Sequence, residues 1–169
     1  MKRHWLLWIT GLSGSGKTLL AKKIKNKVEK NYGPTIELSG DDLRNFFSLN
    51  KYNENSRRRY AKKYGEFCKF LTSKGFNVIF STVSLFHDVQ KWNRKNIKNY
   101  IEIYIKTDIN KIIKKKNKPF YKKKLVNIVG KNIKAQFPKN PDIIIENNFD
   151  RSINKIKNEL IKKIITVTK

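Results

Sequence analysis

Residues 11 to 18 read Gly11-Leu12-Ser13-Gly14-Ser15-Gly16-Lys17-Thr18, a complete G-x-x-x-x-G-K-[ST] phosphate-binding loop. Each fixed position has a chemical job. The glycines let backbone N–H groups turn inward around phosphates, the lysine reaches the outer phosphates, and the threonine offers a hydroxyl to Mg²⁺. Gly11, Ser13, Gly14, Ser15, Gly16, Lys17, Thr18 and the adjoining Leu19 are therefore the candidate nucleoside-triphosphate-binding residues, with Thr18 as the candidate metal ligand. A nucleoside triphosphate with Mg²⁺ is the expected ligand.

A second constellation follows at Ser39-Gly40-Asp41-Asp42-Leu43-Arg44. Phosphoryl transfer to an alcohol needs a carboxylate that orients or deprotonates the acceptor hydroxyl. Asp41 is the candidate for that role, acting with Lys17 as the catalytic pair. Ser39 or Asp41 would also serve as a helix cap, and the two duties are compatible. Arg44 and Arg57 are candidate anion ligands, because a guanidinium fork grips phosphate in a bidentate way that lysine cannot. Arg57, Arg58 and Arg59 are consecutive on a predicted helix, so one or two of them at most can face a site. His4 and His87 lack metal-ligand spacing and are assigned no role.

The elements that must hold these residues can be read from periodicity. Apolar runs near 5 to 9, 35 to 38, 76 to 80, 100 to 105 and 142 to 145 read as strands. Helical spacing fills 17 to 29, 41 to 47, 55 to 73, 87 to 98, 108 to 115 and 150 to 164. This β-α alternation predicts an α/β fold of the P-loop NTPase kind, a parallel sheet with helices on both faces, in one domain spanning 1 to 169. Ligands of such sheets sit beyond the carboxyl ends of the strands, here 11 to 18, 39 to 44, 81 to 87 and 106 onward. The basic stretch from 114 to 139 breaks the alternation. It reads either as a solvated excursion or as a lid that closes over phosphates.

Composition narrows the function. The 169 residues carry a formal net charge of +26. Such a charge invites a nucleic-acid reading, but the lysines are spread along the chain and no recognition motif or aromatic RNA platform accompanies them. The expectation is a field that draws in small polyanionic substrates, with nucleic acid disfavoured as a partner. Cys68 is the only cysteine, which excludes an internal disulfide and disfavours a cysteine metal site. The short apolar run after Met1 ends at the phosphate loop, and nowhere do about 18 uncharged apolar residues run together. A soluble cytoplasmic protein without membrane insertion is expected.

Gly11 to Thr18, the Gly40-Asp41 turn with Arg44, Tyr52-Asn53-Glu54 through Arg57, Ser81 to Ser84, Tyr121-Lys122-Lys123 and Asn140-Pro141-Asp142 follow one another in an order and approximate spacing that resembles the adenylylsulfate kinases. The likeness covers nearly the whole chain. It implies a P-loop α/β kinase that uses MgATP to phosphorylate a ribose 3′-hydroxyl, works as a homodimer and has a mobile lid. By the same likeness Asp41 is the catalytic carboxylate, and Arg44, Tyr52, Arg57, Tyr60, Ser81, Thr82, Val83 and Ile128 surround the acceptor. Lys122 and Lys123 fall in the lid.

The departures concern the acceptor. Ser39-Gly40-Asp41-Asp42 stands where the family shows Asp-Gly-Asp-Asn, Tyr60 stands where it shows Asn, and Ile128 replaces the lid phenylalanine that stacks on adenine. Tyr52 keeps the opposite aromatic face. Losing one face of an aromatic sandwich costs about 1 to 3 kcal/mol, so an acceptor other than adenylylsulfate is expected. The chain is similar to kinases of this kind that act on a cytidine nucleotide, cytidine diphosphoramidate, in making surface polysaccharide. Adenylylsulfate remains the alternative acceptor. A kinase with an unrelated small acceptor and a non-catalytic nucleotide or nucleic-acid binding protein are the readings further away.

Overall fold

A computed structural model describes residues 3–116, 129–131 and 133–169. β1 (Leu6–Thr10) is buried at every position, as is β3 (Asn77–Thr82). Strands covered on both faces read as near-continuous apolar runs, and these two form the centre of the sheet. β2 (Thr35–Ser39), β4 (Tyr100–Lys106) and β5 (Ile143–Glu146) complete it. All pairings are parallel, in the order β2-β3-β1-β4-β5. The register aligns Ser39 with Ser81, and Thr10 with both Thr82 and Tyr104. The residues at the carboxyl ends of the strands are thereby brought to one rim.

Alternate side chains of the strands feed two cores. On one face Leu6, Trp8, Val78 and Phe80 pack with residues from α2 (Gly40–Phe46), α3 (Glu54–Ser73), α4 (His87–Asn96) and α5 (Ile109–Lys116). Trp8 and Phe80 stack there with ring centres 5.0 Å apart. On the other face Leu7, Ile9, Ile101 and Ile103 pack with α1 (Lys17–Tyr32) and α6 (Ile153–Thr168). This is the α/β architecture the alternation predicts.

The boundaries shift for local reasons. α1 runs on to Tyr32 and stops where Gly33 takes a φ of 98°. α6 starts at Ile153 rather than at 150, because the Ser152 hydroxyl accepts the Lys155 N–H at 3.3 Å and caps it. Ser81 and Thr82, expected in a loop, are strand residues paired with Ile9 and Thr10. The Asn140-Pro141-Asp142 segment leads into β5. Asp142 accepts both arms of Arg94, at 3.1 and 3.0 Å, and the backbone N–H of Glu102 at 2.8 Å.

The predicted excursion at 114 to 139 divides. Its first residues finish α5, and residues 117 to 128, which include Lys122, Lys123 and Ile128, lie outside the described residues. Its last part belongs to the body. Val129 and Ile133 are buried in the core, the Gln136 N–H donates to the Leu85 carbonyl at 2.9 Å, and the Gln136 side-chain oxygen accepts the His87 N–H at 2.8 Å. His87, to which the sequence assigns nothing, fastens this segment through its ring nitrogen, 2.9 Å from the Phe137 carbonyl. Among the described residues no helix is long and apolar enough to cross a membrane.

Candidate active site

The loop after β1 is shaped by glycines with positive φ: Gly11 at 149°, Gly14 at 84° and Gly16 at 93°. Two of them are also required by their neighbours. A Cβ on Gly11 would lie 2.6 Å from the Ile105 carbonyl oxygen, and one on Gly16 would lie 2.9 Å from Asn147 Nδ2. Asn147, buried at the end of β5, donates from Nδ2 to the Ser15 carbonyl at 2.9 Å. Its own backbone N–H donates to the Lys106 carbonyl at 2.9 Å, so the loop is tied to both strands beyond β1.

The groups this loop presents suit phosphate. α1 begins at Lys17 with no side-chain cap and no acidic residue in its first turn, which leaves its leading N–H groups and positive dipole end for an anion. Lys17 is 6% exposed, and its ammonium donates to the Leu12 carbonyl at 2.7 Å. Ser15 is fully buried, and its hydroxyl has no hydrogen-bond partner among the described residues. Thr18 Oγ1 lies 3.3 Å from Ser81 Oγ, and Leu19 beside it is exposed. Among the described residues no group of three or more His, Cys, Asp or Glu could hold a metal ion. A metal here fits the kind that rides on substrate phosphates with a single protein hydroxyl, as Mg²⁺ does.

The end of β3 joins this loop to the second constellation. A Cβ on Gly40 would lie 2.8 Å from Thr82 Oγ1, so only glycine lets α2 start so close to β3. Thr18 meets Ser81 on one side and Gly40 meets Thr82 on the other. The phosphate loop and the Asp41 turn therefore flank the same two residues. Val83 follows, half-buried, and Ser84 is buried with its carbonyl accepting Thr10 Oγ1 at 3.3 Å.

Capping of α2 falls to Ser39 and Asp42. The Ser39 hydroxyl accepts the Asp42 N–H at 3.2 Å, while the Asp42 carboxylate accepts the Ser39 N–H at 2.7 Å, a reciprocal capping box. Asp41 is left out of the cap and exposed to solvent.

Arg44 and Arg57 converge on one aromatic residue. The Arg44 guanidinium lies 4.5 Å above the Tyr52 ring and 5.6 Å from the Tyr60 ring, held by donation to the Leu49 and Lys51 carbonyls at 3.1 and 3.3 Å. Arg57 lies 5.4 Å from the Tyr52 ring and donates from Nε to the Tyr52 carbonyl at 2.8 Å. Burial, and then the charge of Arg44, push the Arg57 guanidinium below its ordinary pKa. Two cations held this close favour an anion that bridges them. Arg58 faces elsewhere, paired with Glu54 at 2.7 Å and Asp88 at 2.6 Å, and Arg59 lies 5.7 Å from the Tyr60 ring.

Sequence reasoning missed two residues of this region. Asn147 follows β5 directly, and applying the carboxyl-end rule to that strand as well would have found it. Tyr64, on the same face of α3 as Arg57 and Tyr60, sits beneath Gly40 with Cε2 3.7 Å from the glycine's Cβ position. It reads from the sequence as an ordinary core aromatic.

The adenylylsulphate kinase family model matches residues 3–146. The chain belongs to this family. It is 35% identical to the cytidine diphosphoramidate kinase of Campylobacter jejuni, over 95% of this chain and 96% of that one. It is 28% identical to the adenylyl-sulfate kinase of Clostridium kluyveri, over 94% of this chain and 84% of the relative. In three dimensions it matches the APS kinase CysC of Mycobacterium tuberculosis, solved with AMPPNP and APS, with a TM-score of 0.86 at 24% identity, covering 98% and 99% of the two chains. That likeness shows the fold. As a member of this family the protein is a phosphotransferase that uses ATP and a hydroxyl acceptor.

Proposed function

We propose that the protein transfers the γ-phosphoryl group of ATP to the ribose 3′-hydroxyl of cytidine diphosphoramidate, in the making of phosphoramidate-decorated capsular polysaccharide. The observation that carries the acceptor is the 35% identity, over nearly the full length of both chains, to a kinase of that name. The residues support it. The capping box frees Asp41, and Tyr60 and Ile128 replace the groups that serve adenylylsulfate in the wider family. Retention of Tyr52 and the family match favour adenylylsulfate as the second reading.

ATP places its phosphates in the loop at 11 to 18, against the N–H groups that open α1, with Ser13, Gly14, Ser15 and Gly16 around them. Thr18 would hold Mg²⁺ through its hydroxyl, and the ion would supply charge neutralisation at the outer phosphates. Lys17 stabilises the charge that develops on the moving phosphoryl group. Asp41 takes the proton of the 3′-hydroxyl as the new O–P bond forms and the bond from the γ-phosphorus to the leaving ADP oxygen breaks. Arg44 and Arg57 hold the acceptor's 5′ phosphoryl end beside Tyr52 and Tyr60, and Ser81, Thr82 and Val83 support the reacting sugar. The region that includes Lys122 and Ile128 closes over both nucleotides as a lid. The protein acts as a one-domain cytoplasmic homodimer, and its net charge of +26 steers polyanionic nucleotides inward.

Purified protein with MgATP and either cytidine diphosphoramidate or adenylylsulfate decides the acceptor, with 3′-phosphorylated product identified by mass and phosphorus NMR. Turnover of the cytidine compound in preference to adenylylsulfate supports the proposal, and efficient turnover of adenylylsulfate alone overturns it. Ile128→Phe should then raise adenylylsulfate turnover by restoring the second aromatic face.

A further inference from the structure

We infer that the Tyr64 hydroxyl is a third ligand of the acceptor nucleotide, donating a hydrogen bond to an oxygen of the 5′ phosphoryl group that Arg44 and Arg57 hold. The inference rests on reading the Arg44–Arg57 region as the acceptor's phosphate site. Arg57, Tyr60 and Tyr64 are spaced i, i+3 and i+7 along α3, which puts them on one face of the helix. The Tyr64 ring is fixed from two sides. Its centre is 5.6 Å from that of Phe80 on β3, and its edge lies 3.7 Å from the Cβ position of Gly40, immediately before Asp41. The side chain thus lies between the base of the acceptor turn and the arginine-bearing face of α3.

Tyr64 is only 4% exposed, and its hydroxyl has no hydrogen-bond partner among the described residues. Buried hydroxyls are nearly always paired, and phenylalanine would fill the same space without that cost. A partner that arrives with the substrate accounts for the tyrosine. The charged groups that act on the phenol, Arg44, Asp41 and Arg57, are those of the acceptor site, and burial pushes its pKa up, so it stays a protonated donor. A neutral donor suits this place. It satisfies an oxyanion already neutralised by two guanidinium groups and adds no further charge.

Tyr64→Phe tests this with the packing kept. The probes are CDP and ADP, titrated calorimetrically into wild type and variant after the phosphate loop is saturated with AMPPNP and Mg²⁺. At least one of the two diphosphates should bind the variant about tenfold or more weakly, with AMPPNP affinity unchanged and the melting point of the unliganded variant equal or higher. Equal binding of both probes to the two proteins overturns the inference, as does a wild type that binds neither, or a lowered melting point, which would make Tyr64 a structural residue. The acceptor assignment is judged separately by turnover. A wild type inactive on cytidine diphosphoramidate removes that assignment, while weaker diphosphate binding by Tyr64→Phe still upholds the role of the hydroxyl.

Discussion

The guanidinium of Arg44 rests 4.5 Å above the ring of Tyr52, and that ring is half exposed. The arginine is immobilised before any ligand arrives, by the aromatic face and by two backbone carbonyls. Arg57 is tied to the carbonyl of the same tyrosine. The site thus holds two charges at a fixed separation, which lowers the ordering cost of gripping an anion. Arg44→Lys and Arg57→Lys keep charge but lose the planar fork. Each should raise the acceptor KM about tenfold or more, in line with about 1.5 to 3 kcal/mol for a hydrogen bond to a charged group, and leave the ATP KM unchanged. Steady-state kinetics with each substrate varied in turn checks this, and an unchanged acceptor KM places the acceptor elsewhere.

The division of labour within Ser39-Gly40-Asp41-Asp42 yields a second test. Asp41 stands outside the cap, whereas Asp42 closes it. Asp41→Asn should therefore cut kcat about 10²- to 10⁴-fold, the range for loss of a general base, with an unchanged melting point. Asp42→Ala should do the reverse, costing about 1 kcal/mol of stability as other lost caps do, with a much smaller fall in kcat. Lys17→Ala should lose turnover as severely as Asp41→Asn. Thermal melts beside single-turnover rates separate these outcomes, and an active Asp41→Asn enzyme would remove Asp41 as the base.

Much of this site was legible in the sequence because its signals are local. The phosphate loop is contiguous, and its required glycines, lysine and threonine stand at fixed spacing beside a strand and a helix. Arginines stand out in a chain whose positive charge is mostly lysine, which directed attention to Arg44 and Arg57. The undetected parts depend on long-range packing. Asn147 reaches Ser15 across 132 positions of sequence, and the feature that draws attention to Tyr64, a buried hydroxyl with no partner among the described residues, is a property of packing. The double role open to Ser39 and Asp41 could be resolved only by hydrogen-bond geometry. The 114 to 139 stretch reads as one basic segment by composition, yet Val129, Ile133 and Gln136 are fastened into the body by contacts that composition does not encode.

Asn147 provides a test of how the phosphate loop is held. Its amide is the donor to the Ser15 carbonyl, and both groups are buried. Asn147→Ala leaves that carbonyl without this donor, a loss of about 1 to 3 kcal/mol. The loop N–H groups then lose their fixed aim, so the ATP KM should rise severalfold while the acceptor KM stays near its wild-type value. Chemical denaturation together with nucleotide titration measures both effects, and a destabilised variant with an unchanged ATP KM would make the contact purely structural.

Glu102 carries a pH-dependent prediction away from the site. It is 3% exposed, and Arg94 lies 3.4 Å from its carboxylate while committing its shorter bonds to Asp142. Burial pushes the Glu102 pKa above the ordinary 4.5, and Arg94 only partly opposes the shift. An acid whose folded pKa is raised holds its proton more tightly when folded, so stability falls as pH rises through the folded value. Below the unfolded value both states are protonated and the cost disappears. Glu102→Gln mimics the protonated form at every pH and leaves the Arg94–Asp142 pair in place. Its melting point should exceed that of wild type at pH 7, and the difference should close as pH falls below about 4.5. Melting curves of both proteins across that range measure it. A variant less stable than wild type at pH 7 would mean that attraction to Arg94 outweighs the cost of burying the carboxylate.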